Sequence, residues 1–252
     1  MPATPRKAAL TLFPSTRRLV QALAPVVLGA TLSACAPVQP DLVRVGRAQL
    51  ELPPGSWAPL ATDQALFDVR PDDVSHDLPM QSRLLGLRDA QGGLLASVLV
   101  QTNATNHPRD ITLWDWRCAP QKGVQVEDAT RGSRVRIDCL RYRRRADADG
   151  YLAANWPLLS QTLAAHQAIP AQPFSHVSYR YSTQEGGFIA IDVLADQRLL
   201  RAPTHNNLEF LRAGLPAQEW MHRLREAART SPAMMDGRLV LPPFPQTLPQ
   251  AQ

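Results

Sequence analysis

Apolar residues recur at every second position in several stretches of this chain, a period that predicts strands with one face buried. Residues 45–52 alternate weakly and run into Pro53-Pro54-Gly55, which reads as a strand closed by a turn. Residues 84–87 and 94–101 flank Asp89-Ala90-Gln91-Gly92-Gly93 and form a hairpin pattern. Residues 111–118 set Ile111, Leu113 and Asp115 against Thr112, Trp114 and Trp116, again strand-like. Residues 124–126 and 134–142 flank a polar turn containing Gly132. The clearest hairpin joins 177–181 to 188–194 across 184–187, with Ile189, Ile191 and Val193 on one face. Residues 56–82, with a turn at Pro71-Asp72-Asp73, and 103–110 are polar and predict irregular chain.

The period changes in three places. Trp156, Leu159 and Leu163 repeat at helical spacing, with Asn155 placed to cap and Pro157 in the first turn, and the helix ends before Pro170. Thr204 can cap a second helix carrying Leu208 and Leu211 and closed by Gly214. A third starts near Pro216 and buries Trp220, Leu224 and Ala227 or Ala228. Leu241-Pro242-Pro243-Phe244-Pro245 suits neither a helix nor a central strand and predicts an extended surface tail over 241–252. Hairpins mixed with a few helices predict an α+β domain over 44–240: a mainly antiparallel sheet with two or three packed helices. With 252 residues, 44% hydrophobic and 19% charged, the chain can bury a core, which excludes wholesale disorder.

The N-terminal stretch follows another logic. Residues 1–34 hold Arg6, Lys7, Arg17 and Arg18 and no acid; a short apolar run from Leu19 to Ala30 leads to Leu32-Ser33-Ala34-Cys35. A basic region, an apolar region and small residues before a cut site make a secretory signal peptide, and the apolar run is too short and interrupted to span a membrane. The four residues 32–35 resemble the lipobox of bacterial lipoproteins at every position. The resemblance implies cleavage before Cys35 and acylation of Cys35, with 35–43 as a lipidated N-terminus and short tether. More than one acyl chain gives stable anchoring, at about 0.8 kcal/mol per buried CH₂. Arg17-Arg18 raises a twin-arginine route, but the following Leu19-Val20-Gln21 fits the general secretory route better. Ala36, where an Asp would retain such a protein at the inner membrane, implies the periplasmic face of the outer membrane in a Gram-negative cell. The signal also revises the charge. The formal net of +5 falls to +1 beyond residue 34, where 23 Lys+Arg face 22 Asp+Glu. The global case for a polyanionic partner goes with it, and no nucleic-acid module pattern is present.

Cys118 and Cys139 are the other two cysteines. In an oxidising compartment they predict a disulfide, worth about 3 kcal/mol by loop entropy. A reactive thiol or a metal site is the alternative; no Cys-x-x-Cys and no histidine at ligand spacing supports it. Cys139 shares a predicted strand face with Val135 and Ile137 and should point to the core.

Three further groupings are candidates for chemistry. Arg141, Arg143, Arg144 and Arg145 could fork onto phosphates, or be a solvated strand end balanced by Asp138, Asp147 and Asp149. Trp114 and Trp116, on one face of a predicted strand, could stack a ligand such as a glycan, or pack as core beside the disulfide. His76, His107, His166, His176, His205 and His222 form no close ligand pair, so no metal or cofactor is expected. No Gly-x-Ser-x-Gly elbow, P-loop or dinucleotide pattern is present, and the catalytic residues of any enzyme would be dispersed. Pro53-Pro54-Gly55-Ser56-Trp57 after a strand is similar to the opening of PsbP/Mog1-like α+β domains, a similarity of five residues from which no function is carried over.

Together these features predict a membrane-anchored envelope lipoprotein with a non-catalytic accessory or binding domain and, as partner, an envelope protein complex. The alternatives are an envelope hydrolase or a carrier of an apolar ligand. A deep pocket joining a histidine to a carboxylate would favour the hydrolase, and a large dry cavity between sheet and helices the carrier.

Overall fold

The computed structural model describes residues 42–67, 78–105 and 112–248, apart from 115, 172, 203 and 232–236. The signal region, Cys35, the turn at 71–73, His76 and His107 lie outside the described residues.

The domain is α+β, as its sequence pattern predicts. Among the described residues ten strands run β1 (Leu42–Val45), β2 (Ala48–Glu51), β3 (Ser56–Phe67), β4 (Leu78–Arg88), β5 (Leu94–Asn103), β6 (Gln125–Asp128), β7 (Ile137–Ala146), β8 (Phe174–Ser182), β9 (Phe188–Asp196) and β10 (Arg238–Val240). Seven form an antiparallel sheet in the order β3-β4-β5-β9-β8-β7-β6; β1, β2 and β10 form a small second sheet. The helices are α1 (Ala153–Asn155), α2 (Pro157–Ala165), α3 (Gln197–Leu200), α4 (Asn207–Arg212) and α5 (Pro216–Thr230), with a π-helical turn over Ala148–Leu152.

Strand order sets the architecture. β3-β4-β5 is one meander and β6-β7-β8-β9 another, and β9 closes the sheet against β5. The connection from β5 to β6 must therefore cross the sheet to its far edge, and it carries Trp114, Trp116 and Cys118 over one face.

The opposite face holds the main core. Val98, Val100, Ile189, Ile191, Val193, Val177 and Tyr179 alternate inward and pack against α5 through Trp220, Met221, Leu224 and Ala228. α5 has its apolar residues on one stripe and starts with Pro216 at its first turn. At about 1.5–3 kcal/mol per fully buried large apolar side chain, this layer is the main source of stability. The segment beyond β10, expected on the surface, instead joins this core. Leu241 is buried, Phe244 stacks on Trp220 with ring centres 5.2 Å apart, and the Trp220 indole N–H donates to the Pro242 carbonyl at 3.0 Å. Its prolines preclude a ladder, but not packing.

Other expectations need correction. Residues 56–82 contain the long edge strand β3 and the start of β4; β3 reads as polar because an edge strand is only half covered. Within 45–52 the strand is β2, and it is the second arm of a hairpin that begins at Leu42. Gly46 turns it with φ of +55°, and a Cβ there would lie 2.2 Å from the Asn103 carbonyl oxygen. β1 also takes in Leu42 and Val43, placed by the sequence reading in the tether. Asn206, not Thr204, caps α4, and Leu208 and Leu211 are exposed instead of packed. Asn155 does not cap α2; its side-chain amide donates to the Tyr151 carbonyl, and the cap position is Trp156.

Candidate functional site

The described residues cover the second face of the large sheet at its two ends. At one end the π-helical turn and α2 bury Tyr151, Leu152, Leu159 and Leu163 against Phe174, Leu84 and Leu194. At the other, Trp114 packs with Met80, Ile137, Cys139 and Phe188. Between these plugs lies a groove of about 1230 Å³.

Strand register builds its floor. Ala61, Leu84, Leu99, Asp192, Ser178 and Arg141 are successive cross-strand partners from β3 to β7, so they form one row on one face. The next row holds Asp63, Ser82, Gln101, Ala190, Arg180 and Cys139. Leu158 and Leu66, 79% and 66% exposed, line the groove's lips. Towards β3 the floor is therefore an apolar row of Ala61, Leu84 and Leu99 beside a polar row of Asp63, Ser82 and Gln101, and towards β7 it is ionic.

A buried polar chain organises the ionic half. Arg180 Nη2 donates to Asp192 Oδ2 at 2.5 Å, and His176 Nε2 lies 3.2 Å from Asp192 Oδ1. His176 Nδ1 is 3.2 Å from the Tyr151 hydroxyl, which accepts from the Trp156 indole N–H at 3.2 Å. One assignment satisfies every partner: His176 is protonated on Nε2 and donates to Asp192, while Tyr151 donates to Nδ1. Burial taken alone would raise the Asp192 pKa, but the Arg180 charge and the His176 hydrogen bond outweigh it and hold the carboxylate well below its usual range. Burial likewise pushes the Tyr151 phenol up. Ser178 Oγ, between Asp192 and Arg141 in the row, is buried without a hydrogen-bond partner among the described residues.

Arg141 is held differently. Its guanidinium carbon lies 5.2 Å from the ring centre of Trp116 and 5.6 Å from that of Trp156. Nη2 donates to the carbonyls of Arg117 and Ala119 at 3.3 and 3.0 Å, and Nε is buried without a partner among the described residues. No carboxylate pairs with it among the described residues. Burial first, and then the Arg180 charge, lower its pKa, and the nearby Tyr151 works in the opposite sense. Arg180 also lies 5.6 Å from the Trp156 ring centre. The groove lining therefore holds three guanidinium groups, Arg117, Arg141 and Arg180, with Asp192 paired to Arg180 and Asp63 towards β3.

The candidate residues are distributed as follows. Cys118 and Cys139 form the disulfide, with Cα atoms 5.7 Å apart and Cys139 fully buried. It ties the crossing connection to β7 two residues before Arg141. Trp114 and Trp116 are not on a strand: the connection makes isolated backbone bonds, Thr112 N–H to the Gln184 carbonyl and Trp114 N–H to the Arg134 carbonyl, and no continuous ladder. Trp114 is buried and stacks on Phe188, while half-buried Trp116 lies against Arg141.

The arginine run is not one patch, because β7 continues through it and alternation divides it. Arg141 reaches the groove. Arg143 stacks on Tyr151 and donates to the Gly123 carbonyl at 2.8 Å; Arg144 sits on the other side of the strand and Arg145 is exposed. Two of the three acids expected to balance the run are engaged elsewhere, Asp138 with Arg229 of α5 and Asp147 as the cap of the π-helical turn, and Asp149 is exposed.

Of the histidines, His166 lines the groove and His205 and His222 lie at the surface. His176 is buried against Asp192 and Tyr151. The described residues contain no cluster of three potential metal ligands. Asp192 escaped sequence reading, although an acid inside Phe188-Ile189-Ala190-Ile191-Asp192-Val193-Leu194 signals a buried charge that needs a partner. No protein-family model, curated protein or solved structure matches the chain.

Proposed function

We propose that the chain is an envelope lipoprotein, held by acyl chains on Cys35 at the periplasmic face of a membrane, and that its folded domain is a binding module. In a Gram-negative cell that membrane is the outer one. The lipobox resemblance of Leu32-Ser33-Ala34-Cys35 supports the anchor. One observation carries the binding reading: Arg141 lines a groove between two tryptophans, with a buried Nε that has no acceptor among the described residues. Leaving a guanidinium partly dehydrated without an acid is costly, and an anionic ligand would recover that cost.

A hydrolase is the second reading, favoured by the Asp192–His176 pair beside the groove. General base work needs a ring nitrogen within reach of a substrate proton. Here Tyr151 occupies Nδ1, Asp192 occupies Nε2, and His176 is 1% exposed. These contacts suit a structural brace better than a base.

The test is in-cell photo-crosslinking of the full chain, with the crosslinker at Leu158 on the groove lip or at Val240, exposed on β10. Adducts are expected at Leu158 and not at Val240; no adduct at Leu158 overturns the binding reading. Globomycin treatment or Cys35→Ala should change the protein's size and membrane fractionation, and an unchanged pattern overturns the anchor.

A further inference from the structure

We infer that the groove takes a single-chain anionic amphiphile, its carboxylate or phosphate head at Arg141 and its acyl chain along the row Asp192–Leu99–Leu84–Ala61. The inference rests on the groove being a binding site and names the chemistry of its occupant.

Charge complementarity selects the head. Arg180 is neutralised by Asp192, whereas Arg141 has no carboxylate partner among the described residues, and the exposed Arg117 adds further positive charge to the lining. Its Nη1 makes no hydrogen bond among the described residues, and Nη2 is satisfied by carbonyls that leave its charge in place. The two guanidinium groups flank one indole, and an anion there relieves their mutual repulsion. Trp116 and Trp156 hold the Arg141 plane, which preorganises a fork for an oxyanion.

Shape and polarity select the tail. Arg141 to Ala61 spans five interstrand steps, about 24 Å at the usual strand spacing. A membrane acyl chain fills one leaflet, about 15 Å or half the hydrocarbon thickness, so the row accommodates one with room to spare. Beyond Asp192 this row is Leu99, Leu84 and Ala61, an apolar track beside the polar row of Gln101, Ser82 and Asp63. The exposed Leu158 and Leu66 at the lips are apolar surface that a chain in the groove would cover.

Three of the five tryptophans, Trp114, Trp116 and Trp156, line the groove, and Trp57 and Trp220 do not. The test is therefore tryptophan quenching of the full chain in phosphatidylcholine nanodiscs by 9,10-dibromostearate, by the lysophosphatidic acid carrying the same brominated chain, and by the methyl ester of dibromostearate. Saturable quenching by both acids is expected, about tenfold weaker with the ester or with Arg141→Gln, the worth of one charge-assisted hydrogen bond. Leu66→Asp with Leu158→Asp, both at exposed positions, should weaken it by about threefold. The comparison of acid with ester needs no variant and stands if Arg141→Gln misfolds.

Ester binding as tight as the acids overturns the head assignment. Inorganic phosphate displacing the lipids at similar concentration overturns the tail. An acid that quenches wild type and Arg141→Gln alike overturns the site. Absent quenching with crosslinks persisting at Leu158 overturns this inference and leaves the binding reading standing; absence of both overturns both.

Discussion

The Arg141 guanidinium lies 5.2 Å from the centre of the Trp116 ring, a contact between β7 and the connection that crosses the sheet to reach β6. The Cys118–Cys139 disulfide fixes it, since each cysteine lies two residues from one partner. A staple that looks purely structural therefore also positions the groove's cation against its aromatic wall.

The disulfide should accordingly matter twice. The double variant Cys118→Ser, Cys139→Ala is expected to lose about 3 kcal/mol, or roughly 6–12 °C in Tm for a domain of this size. Scanning calorimetry reads the first effect. Acrylamide quenching reads the second, because Trp116 should become more accessible; unchanged accessibility would separate the bond from the groove wall.

Asp192→Asn should be far more costly than a surface change. It leaves Arg180, whose side chain is 13% exposed, facing a neutral amide, and breaking a buried pair costs about 3–5 kcal/mol. Urea unfolding at neutral pH measures it. A loss under 1 kcal/mol would show that water already reaches the pair.

Acid should reveal the same carboxylate. Its folded pKa is held below the unfolded value of about 3.9, so its contribution is present above about pH 4 and is lost as pH falls towards the folded pKa. Wild-type stability should fall more steeply below about pH 4 than that of Asp192→Asn. Parallel curves would mean that other carboxylates govern acid unfolding.

Alkali should act through the tyrosines. Burial raises the phenols of Tyr142, Tyr151 and, with the added Asp138 charge, Tyr179 furthest. Folded pKa values above the unfolded value of about 10 give stability that is complete below that pH and lost as pH rises beyond it. Phenolate absorbance in the folded protein should stay well short of all four tyrosines, the remainder appearing only on unfolding. Smooth ionisation of all four while folded would contradict the buried network.

Much of the scaffold was legible because its signals are local. The β8–β9 hairpin, α5 and Cys139 facing the core follow from periodicity within a few residues. β3 was not legible, since an edge strand under a half-open groove keeps polar residues that read as loop. Nor was the strand predicted at 111–118 sound: Trp114 and Trp116 alternate, but the segment bridges the sheet instead of pairing within it. The site lay further out of reach. His176, Arg180 and Asp192 meet only because β8 and β9 pair with Ser178 opposite Asp192, and Arg141 joins them through a second register. Periodicity gives the face of each residue, while cross-strand register needs the folded sheet.

Native mass spectrometry of the full chain extracted from its own membranes tests the central claim most directly, by asking whether Arg141 holds an anionic ligand. The expected result is a single adduct with the mass of an acyl-chain anion on wild-type protein, lost from Arg141→Gln while the fold persists by circular dichroism. The same adduct on both proteins, or none on wild type, would contradict it.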